Sequence, residues 1–384
     1  MAGDHERRVR ELERAGARGR EVEELLAYTA NPFDLSRLEA GLRLPLRDEA
    51  FVAGWRRWEE DARRDGAYRV LRRHLPELAF PIRDGVSHWP SYRQATLHGE
   101  DPADLPGASG LVVASPASVE LEVRPSPAGA VPVITVGDRR TFVALARALT
   151  RRNEPEPIPE ALGGLMITGY TNWSRLRANG GGWDLEEASR SSGDRFMLLS
   201  DGPYSAVPAA RLGLGADRWR RRSLELRRAH EEVHYLMRRL LGAMRNNLFD
   251  ELIAEYAGMH LAWGVFRADW LRLFLGLERR RGVRADARLD VYRGDPPLSD
   301  GAFEALGVLV RRAIDTLESF DAAVADVSAG PQRLAAVVGA LASQPLELLA
   351  APSGGERVLT AFRDLDRRLA PATGAAASAA RSAR

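Results

Sequence analysis

The feature that most constrains this chain is a long stretch without proline, from about Asp217 to Asn247. Proline removes a backbone donor and clashes with the preceding helical turn, so its absence here favours one long helix. Within the stretch the chain reads His230-Glu231-Glu232-Val233-His234. Side chains four residues apart share one face of a helix, one turn from each other. We therefore expect the two imidazoles to point the same way.

The H-E-x-x-H pattern indicates a metal site. Two imidazoles at this spacing can bind one Zn²⁺, while the glutamate after the first histidine acts as base on a metal-bound water. The alternative is a surface helix that carries two histidines by chance. The pattern alone does not decide between these two interpretations.

A third candidate ligand lies downstream, in Asp250-Glu251-Leu252-Ile253-Ala254-Glu255. Catalytic zinc takes three protein ligands and keeps its fourth position for water. If this stretch is a second helix, Glu251 and Glu255 share a face, with Asp250 beside them. Three carboxylates among aliphatic residues are costly unless a positive charge lies nearby. A zinc ion would supply that charge.

Taken together, the two stretches resemble the signature of the gluzincins, the thermolysin-like zinc metallopeptidases. In that family H-E-x-x-H on one helix is followed by N-E-x-x-x-D on the next. This chain has D-E-x-x-x-E, with Asp250 in place of the Asn and Glu255 in place of the closing Asp. The resemblance is confined to these two motifs, and the rest of the chain resembles an uncharacterised bacterial protein family.

The resemblance implies roles for six residues. The zinc ligands would be His230, His234 and Glu251, and the general base would be Glu231. Asp250 and Glu255 would accept hydrogen bonds from the second ring nitrogens of the histidines, which fixes the tautomer and orientation of each ring.

Composition limits the chemistry available elsewhere. There is no Cys, so a transition-metal site must use histidine and carboxylate ligands. All 55 basic residues are Arg, which excludes Schiff-base and Ser–Lys chemistry. The net charge is only +2, so there is no strong electrostatic footprint for nucleic acid. Arginines crowd the start of the long helix, and a solvated helix face is favoured there over nucleic-acid contact.

Short β-rich runs precede the long helix and predict a small sheet. The predicted strands are Leu111–Ser115, Ser118–Val123, Val131–Val136, Gly164–Tyr170 and Arg195–Ser200. The predicted fold class is therefore α+β, with a small mixed β-sheet followed by a zincin-like pair of active-site helices and with helical N- and C-terminal regions. The resemblance further implies that an edge strand of this sheet binds an extended peptide.

Four regions follow from this pattern. Residues 1–105 are predicted to be a helical N-terminal region, and residues 106–295 a zincin-like catalytic domain. That domain would hold the sheet within 110–200 and the active-site helices within 217–277, the last of them running from His260 to Leu277. Residues 296–370 are predicted to form a C-terminal helical region, and residues 371–384 a disordered tail rich in Ala, Ser and Arg.

Two absences in the sequence bear on location. The N-terminus is charged and lacks the apolar segment of a signal peptide. No apolar run is long enough to span a bilayer, so a membrane partner is not expected. Cytoplasmic location is the resulting expectation.

The predicted function is that of a zinc-dependent hydrolase, a metallopeptidase acting on a peptide or another amide. Glu231 would pass the proton of the attacking water to the leaving amine. The oxyanion would need a further donor, for which the candidates are Tyr204, Tyr235, Arg245 and His260. The alternative is a non-catalytic metal-binding or scaffold protein that retains the helix pair. The sequence specifies neither the substrate nor the oligomeric state.

Overall fold

The computed structural model describes residues 2–178, 193–245, 247–278, 282–284 and 287–370. In this part of the chain the fold is α+β, with 14 helices and one small mixed sheet of four strands. The predicted fold class is confirmed at this level. The predicted disordered tail, residues 371–384, lies outside the described residues.

The regular elements follow one another along the described chain. The helices are α1 (Ala2–Ala15), α2 (Arg20–Tyr28), α3 (Val52–Asp65), α4 (Ala67–His74), α5 (Pro90–His98), α6 (Arg139–Thr150), α7 (Trp173–Ala178), α8 (Ala216–Leu241), α9 (Leu248–Trp263), α10 (Ala268–Phe274), α11 (Asp300–Ala323), α12 (Pro331–Leu341), α13 (Leu346–Leu349) and α14 (Gly354–Leu369). The strands are β1 (Val119–Arg124), β2 (Val131–Val136), β3 (Gly164–Tyr170) and β4 (Asp194–Ser200). Short 3₁₀ helices cover Leu35–Arg37, Pro76–Ala79, Val86–His88, Pro102–Asp104, Pro116–Ser118, Tyr204–Ala206, Ala209–Leu212 and Arg288–Tyr292.

The sheet has the strand order β1-β2-β4-β3. β1 and β2 form an antiparallel pair, β2 runs parallel to β4, and β3 is antiparallel to β4. All six residues of β2 are buried, as expected for a central strand of continuous apolar character. β1 alternates, with Val119, Leu121 and Val123 buried and Glu120 exposed. β3 is an edge strand, and its first residue, Gly164, pairs with Leu199.

The predicted strand Leu111–Ser115 is wrong, because this segment has no strand conformation. Its backbone instead packs beside the 3₁₀ helix Pro76–Ala79, where the Leu111 amide donates to the Leu78 carbonyl. Val112 is 84% exposed, so the segment is apolar without being part of a buried sheet. An apolar run of this length does not by itself specify a strand.

The chain divides into two compact units by its internal contacts. One unit comprises residues 47–231 and contains the sheet with α3 to α7, and the other comprises residues 1–46 with 232–384 and is helical in its described part. These units differ from the predicted regions 1–105, 106–295 and 296–370. Residues 1–46 group with the C-terminal helices because α1 and α2 pack on α11, and α1 also packs on α13. Arg8 of α1, for example, pairs with the buried Glu347 of α13.

Helix α8 is uninterrupted from Ala216 to Leu241, although the division between the units passes within it. The prediction of one long helix carrying H-E-x-x-H is confirmed. The helix ends earlier than predicted, at a glycine with positive φ (Gly242, φ 77°). That conformation is accessible to glycine at little cost and commonly ends helices.

The predicted helix from His260 to Leu277 is also wrong. His260 belongs to the last turn of α9, which stops at Gly264, where φ is 70°. A separate short helix, α10, then covers Ala268–Phe274. No helix in the described part of the chain is long and apolar enough to cross a membrane.

Candidate metal centre

Helix α8 fixes the spacing of the two histidines. His230 and His234 lie one turn apart and are only 3% and 2% exposed. The same helix buries Val233, Leu236 and Met237, so its apolar residues and its imidazoles both face away from solvent. The interpretation as a solvent-facing helix with two incidental histidines is therefore wrong for these residues.

Helix α9 presents the carboxylates. Asn247 caps it, since its side-chain oxygen accepts hydrogen bonds from the Phe249 and Asp250 amides. Asp250, Glu251 and Glu255 are all buried within the first two turns. Buried carboxylates need compensating partners, and these partners define much of the centre.

The three side chains predicted as ligands lie together. One ligand atom each from His230, His234 and Glu251 falls within 4.8 Å of the other two, and all three residues are buried. Two imidazole nitrogens and one carboxylate oxygen form a donor set that can hold a metal ion. The convergence that the two motifs predicted is thus present in the fold.

One distance within the cluster is compatible with coordination of a single ion. His234 Nε2 and Glu251 Oε1 are 3.3 Å apart. A charge-assisted N–H···O bond is shorter, about 2.7–2.9 Å. Two ligand atoms bound at about 2.0–2.1 Å to one tetrahedral ion would be about 3.4 Å apart. The spacing matches one edge of such a tetrahedron.

Glu231 is 7% exposed and lies beside the start of β3. A Cβ placed on Gly164 would be 2.7 Å from Glu231 Oε1, so only a glycine leaves room for this carboxylate in its present position. The carboxylate predicted as general base is therefore held between its own helix and the first residue of an edge strand.

The Tyr204 hydroxyl contacts the imidazole ring of His230. It lies 3.3 Å from His230 Nδ1, which leaves Nε2 as the ring nitrogen available to a metal. The loop that carries Tyr204 is held by Arg227, whose guanidinium donates to the backbone carbonyls of Ser200, Gly202 and Pro203. Tyr204 was predicted as an oxyanion donor, and its described contact is that of a residue orienting an imidazole.

The other three predicted oxyanion donors have described contacts elsewhere. Tyr235 is fully buried, with the Arg239 guanidinium 5.8 Å from its ring centre. Arg245 donates from its side chain to the Ala30 carbonyl. His260 Nε2 lies 2.6 Å from Asp321 Oδ1. An oxyanion role for any of these residues stays a prediction.

The two carboxylates predicted to support the histidines also have other described partners. Asp250 Oδ2 accepts a hydrogen bond from the Arg245 backbone amide. Glu255 Oε1 pairs with Arg288 Nη1. A contact of either carboxylate with an imidazole stays a prediction.

Comparison with known proteins places the chain in a family. A family model described as a family of unknown function, DUF7005, matches residues 10–353. The chain belongs to DUF7005. No curated protein and no solved structure matches it. The matched range includes both motifs of the candidate metal centre, and the gluzincin resemblance rests on those motifs alone.

Arg288 is a residue of the candidate centre that no sequence pattern in this DUF7005 member predicts. Its side chain is 11% exposed and binds both Glu251 and Glu255. Tyr292, one turn further along the same 3₁₀ helix, accepts a hydrogen bond from Arg288 Nε at 3.1 Å. Burial raises the pKa of Tyr292 well above its ordinary value, so the phenol keeps its proton. Because Arg288 lies far from both motifs in a chain rich in arginine, no local pattern distinguishes it.

Proposed function

We propose that this DUF7005 protein is a zinc-dependent hydrolase that cleaves an amide bond, in the manner of a metallopeptidase. The observation that carries the proposal is the buried His230, His234 and Glu251 cluster, with Glu231 next to His230 on the same helix. Three protein ligands leave one position of a tetrahedral ion open, which is the arrangement of catalytic rather than structural zinc.

The donor set supports zinc as the metal. Two imidazoles and one carboxylate are the ligands of several catalytic zinc sites, and the chain has no cysteine to offer instead. When bound, the ion would act as a Lewis acid that polarises a carbonyl and lowers the pKa of water towards about 7.

The protein's own groups would carry the proton. Glu231 would take a proton from the attacking water on its carboxylate and deliver it to the nitrogen of the leaving amine. Its low exposure, 7%, limits competition from bulk solvent. The Tyr204 hydroxyl would hold the ring of His230 through Nδ1.

Strand β3 supports a peptide as substrate. Among the described residues it is an edge strand, with no strand partner on one side of its backbone, and a Cβ on its first residue would be 2.7 Å from Glu231 Oε1. An extended peptide added to this edge would run towards the catalytic carboxylate. This is the arrangement that the gluzincin resemblance implies.

Metal analysis combined with two substitutions tests the proposal. We expect one equivalent of zinc in the purified protein, lost in His230→Ala. We expect Glu231→Gln to retain zinc and to lose at least about 100-fold in hydrolysis of a mixture of internally quenched peptides, because a general base contributes that much. Glu225→Gln, which changes an exposed carboxylate on the same helix, is the control and should behave as wild type. Zinc-loaded protein that cleaves equally well with and without Glu231 contradicts the mechanism.

One observation favours the alternative of a non-catalytic metal-binding or scaffold protein. Arg288 already supplies positive charge to Glu251 and Glu255, so these carboxylates are compensated by the protein itself. Wild-type protein that binds zinc but cleaves none of the peptides would support a metal-binding scaffold. Wild-type protein that binds no metal would support a scaffold without one.

A further inference from the structure

Arg288 connects the two glutamates of helix α9. Its Nη2 donates to Glu251 Oε2 at 2.6 Å, and its Nη1 pairs with Glu255 Oε1. The two carboxylates lie one helical turn apart and are 8% and 1% exposed at their side chains. A planar guanidinium can bind two carboxylates at once through separate N–H groups, and such paired contacts define direction as well as charge.

The two oxygens of Glu251 therefore have different neighbours. Oε2 faces Arg288, whereas Oε1 is 3.3 Å from His234 Nε2, its neighbour in the cluster that could hold a metal ion. The Tyr292 hydroxyl donates a hydrogen bond to the Glu251 carboxylate and accepts one from Arg288 Nε, so the three side chains form a closed network. In this network Oε2 has a cationic partner, and Oε1 is the oxygen next to His234.

We propose that Arg288 is a positioning residue that keeps Glu251 as a one-oxygen metal ligand by occupying its second oxygen. The inference rests on the proposed function, because it requires that the cluster binds a metal. Arg288 lies outside both the H-E-x-x-H and the D-E-x-x-x-E motif. With Arg288 in place, Glu251 would offer a bound ion one oxygen only, which would favour a four-coordinate site with an open position.

Two possible roles of Arg288, as a nearby charge and as a partner that orients Glu251, predict opposite changes in zinc affinity when Arg288 is removed. By charge alone, the loss of a cation beside the centre would make it more negative and would tighten zinc binding. By position, the loss of the partner that orients Glu251 would weaken zinc binding by about 10- to 100-fold, as for other groups that orient metal ligands. The sign of the change therefore distinguishes the two explanations.

The test measures zinc affinity by competition with a chromophoric chelator, in full-length protein. We expect Arg288→Gln to weaken zinc binding at least about 10-fold. Arg288→Lys keeps the charge but lacks the planar guanidinium that binds two carboxylates, so we expect this variant to bind zinc more weakly than wild type. Tyr292→Phe removes one hydroxyl with little change of shape, and we expect a smaller loss in the same direction.

Arg272→Gln is a matched control. Arg272 also binds two carboxylates, Asp315 and Glu318, in the same unit but not at the metal-binding cluster. We expect it to leave zinc affinity unchanged. Circular dichroism and thermal unfolding of the metal-free proteins show whether each variant is folded, and if Arg288→Gln is not folded, Arg288→Lys and Tyr292→Phe decide the question.

The visible absorption spectrum of Co²⁺-substituted protein is a second measurement, and it would not change if Arg288 only stabilised the fold. Four-coordinate Co²⁺ absorbs visible light more strongly than five-coordinate Co²⁺. If Glu251 turns to bind through both oxygens in Arg288→Gln, the coordination number rises and the absorption falls. An unchanged spectrum together with unchanged zinc affinity overturns the proposal, as does tighter zinc binding in Arg288→Gln. Absence of metal from the wild-type protein instead refutes the proposed function itself.

Discussion

At the scale of single residues, close contacts with neighbouring side chains and backbone set the positions of Glu231 and the two histidines. The Glu231 carboxylate lies close to Gly164, where a Cβ would be only 2.7 Å from its Oε1. Arg227, one turn earlier on the same helix, lies against the same position, because a Cβ added to Gly164 would also be 2.9 Å from Arg227 Cγ. The glycine is needed for space rather than for an unusual backbone angle.

We predict that Gly164→Ala lowers turnover by about 10- to 100-fold while zinc affinity stays unchanged. The added Cβ would lie 2.7 Å from Glu231 Oε1 and 2.9 Å from Arg227 Cγ, so both side chains must shift and the carboxylate moves. A displacement of about 1 Å at a catalytic group can reduce the rate about 100-fold. Peptide hydrolysis and zinc competition assays measure the two effects separately.

Gly137→Ala is the control for this substitution, because the nearest atom to its added Cβ would be 3.6 Å away, an ordinary contact. If Gly164→Ala retains full turnover, Glu231 is not held at this position during the reaction. A loss of zinc in the same variant would instead point to damage to α8.

At the scale of the elements, the cap of α9 stabilises the turn that carries Asp250 and Glu251. Asn247 accepts hydrogen bonds from two amides at the start of the helix, and its Nδ2 donates to the Tyr28 carbonyl at 3.2 Å. The cap therefore links the start of α9 to the end of α2. Glu251 lies in the same first turn, so its position depends on this cap.

We predict that Asn247→Ala lowers the free energy of unfolding by about 1 kcal/mol, the usual loss for an N-cap. Urea unfolding of the metal-free protein measures this effect. Asn247→Ser keeps a side-chain acceptor and should lose less. Equal losses in the two variants would show that the contact with Tyr28, not the cap, carries the stability.

At the scale of the whole molecule, burial of ionisable groups makes stability depend on pH. Burial raises the pKa of Glu77 to about 7, even though the Tyr170 hydroxyl donates to its carboxylate at 2.8 Å. The folded protein therefore keeps this proton up to about pH 7, whereas an unperturbed glutamate loses it near 4.5. Between these values the folded state binds more protons than the unfolded state, so stability falls as the pH rises.

We predict that wild-type protein loses stability relative to Glu77→Gln between about pH 4.5 and about pH 7. The glutamine keeps an acceptor for Tyr170 but does not titrate. Thermal unfolding of both proteins across this range measures the difference, and all other groups titrate equally in both. A constant difference in stability over the whole range would contradict a raised pKa for Glu77.

The sequence by itself determined the features that depend on local spacing. One turn of helix separates His230 from His234, and another separates Glu251 from Glu255, so each pair shares a face wherever its helix lies. The strands 119–124, 131–136, 164–170 and 194–200 were predicted within a few residues, because their apolar residues are continuous or alternate. Local apolar character was misleading at Leu111–Ser115, because the backbone of Leu111 pairs with the 3₁₀ helix Pro76–Ala79 and not with a strand, although its side chain is buried.

Only the tertiary structure decided which side chains meet across the fold. The pairing of Arg288 with Glu251, the contact of Gly164 with Glu231 and the contact of Tyr204 with His230 all join segments that are distant in the chain. Such contacts depend on how loops return the chain to the same place, and no repeat or spacing in the sequence records that path. The motifs therefore define which groups can bind a metal, and the packing of distant segments defines how each group is oriented.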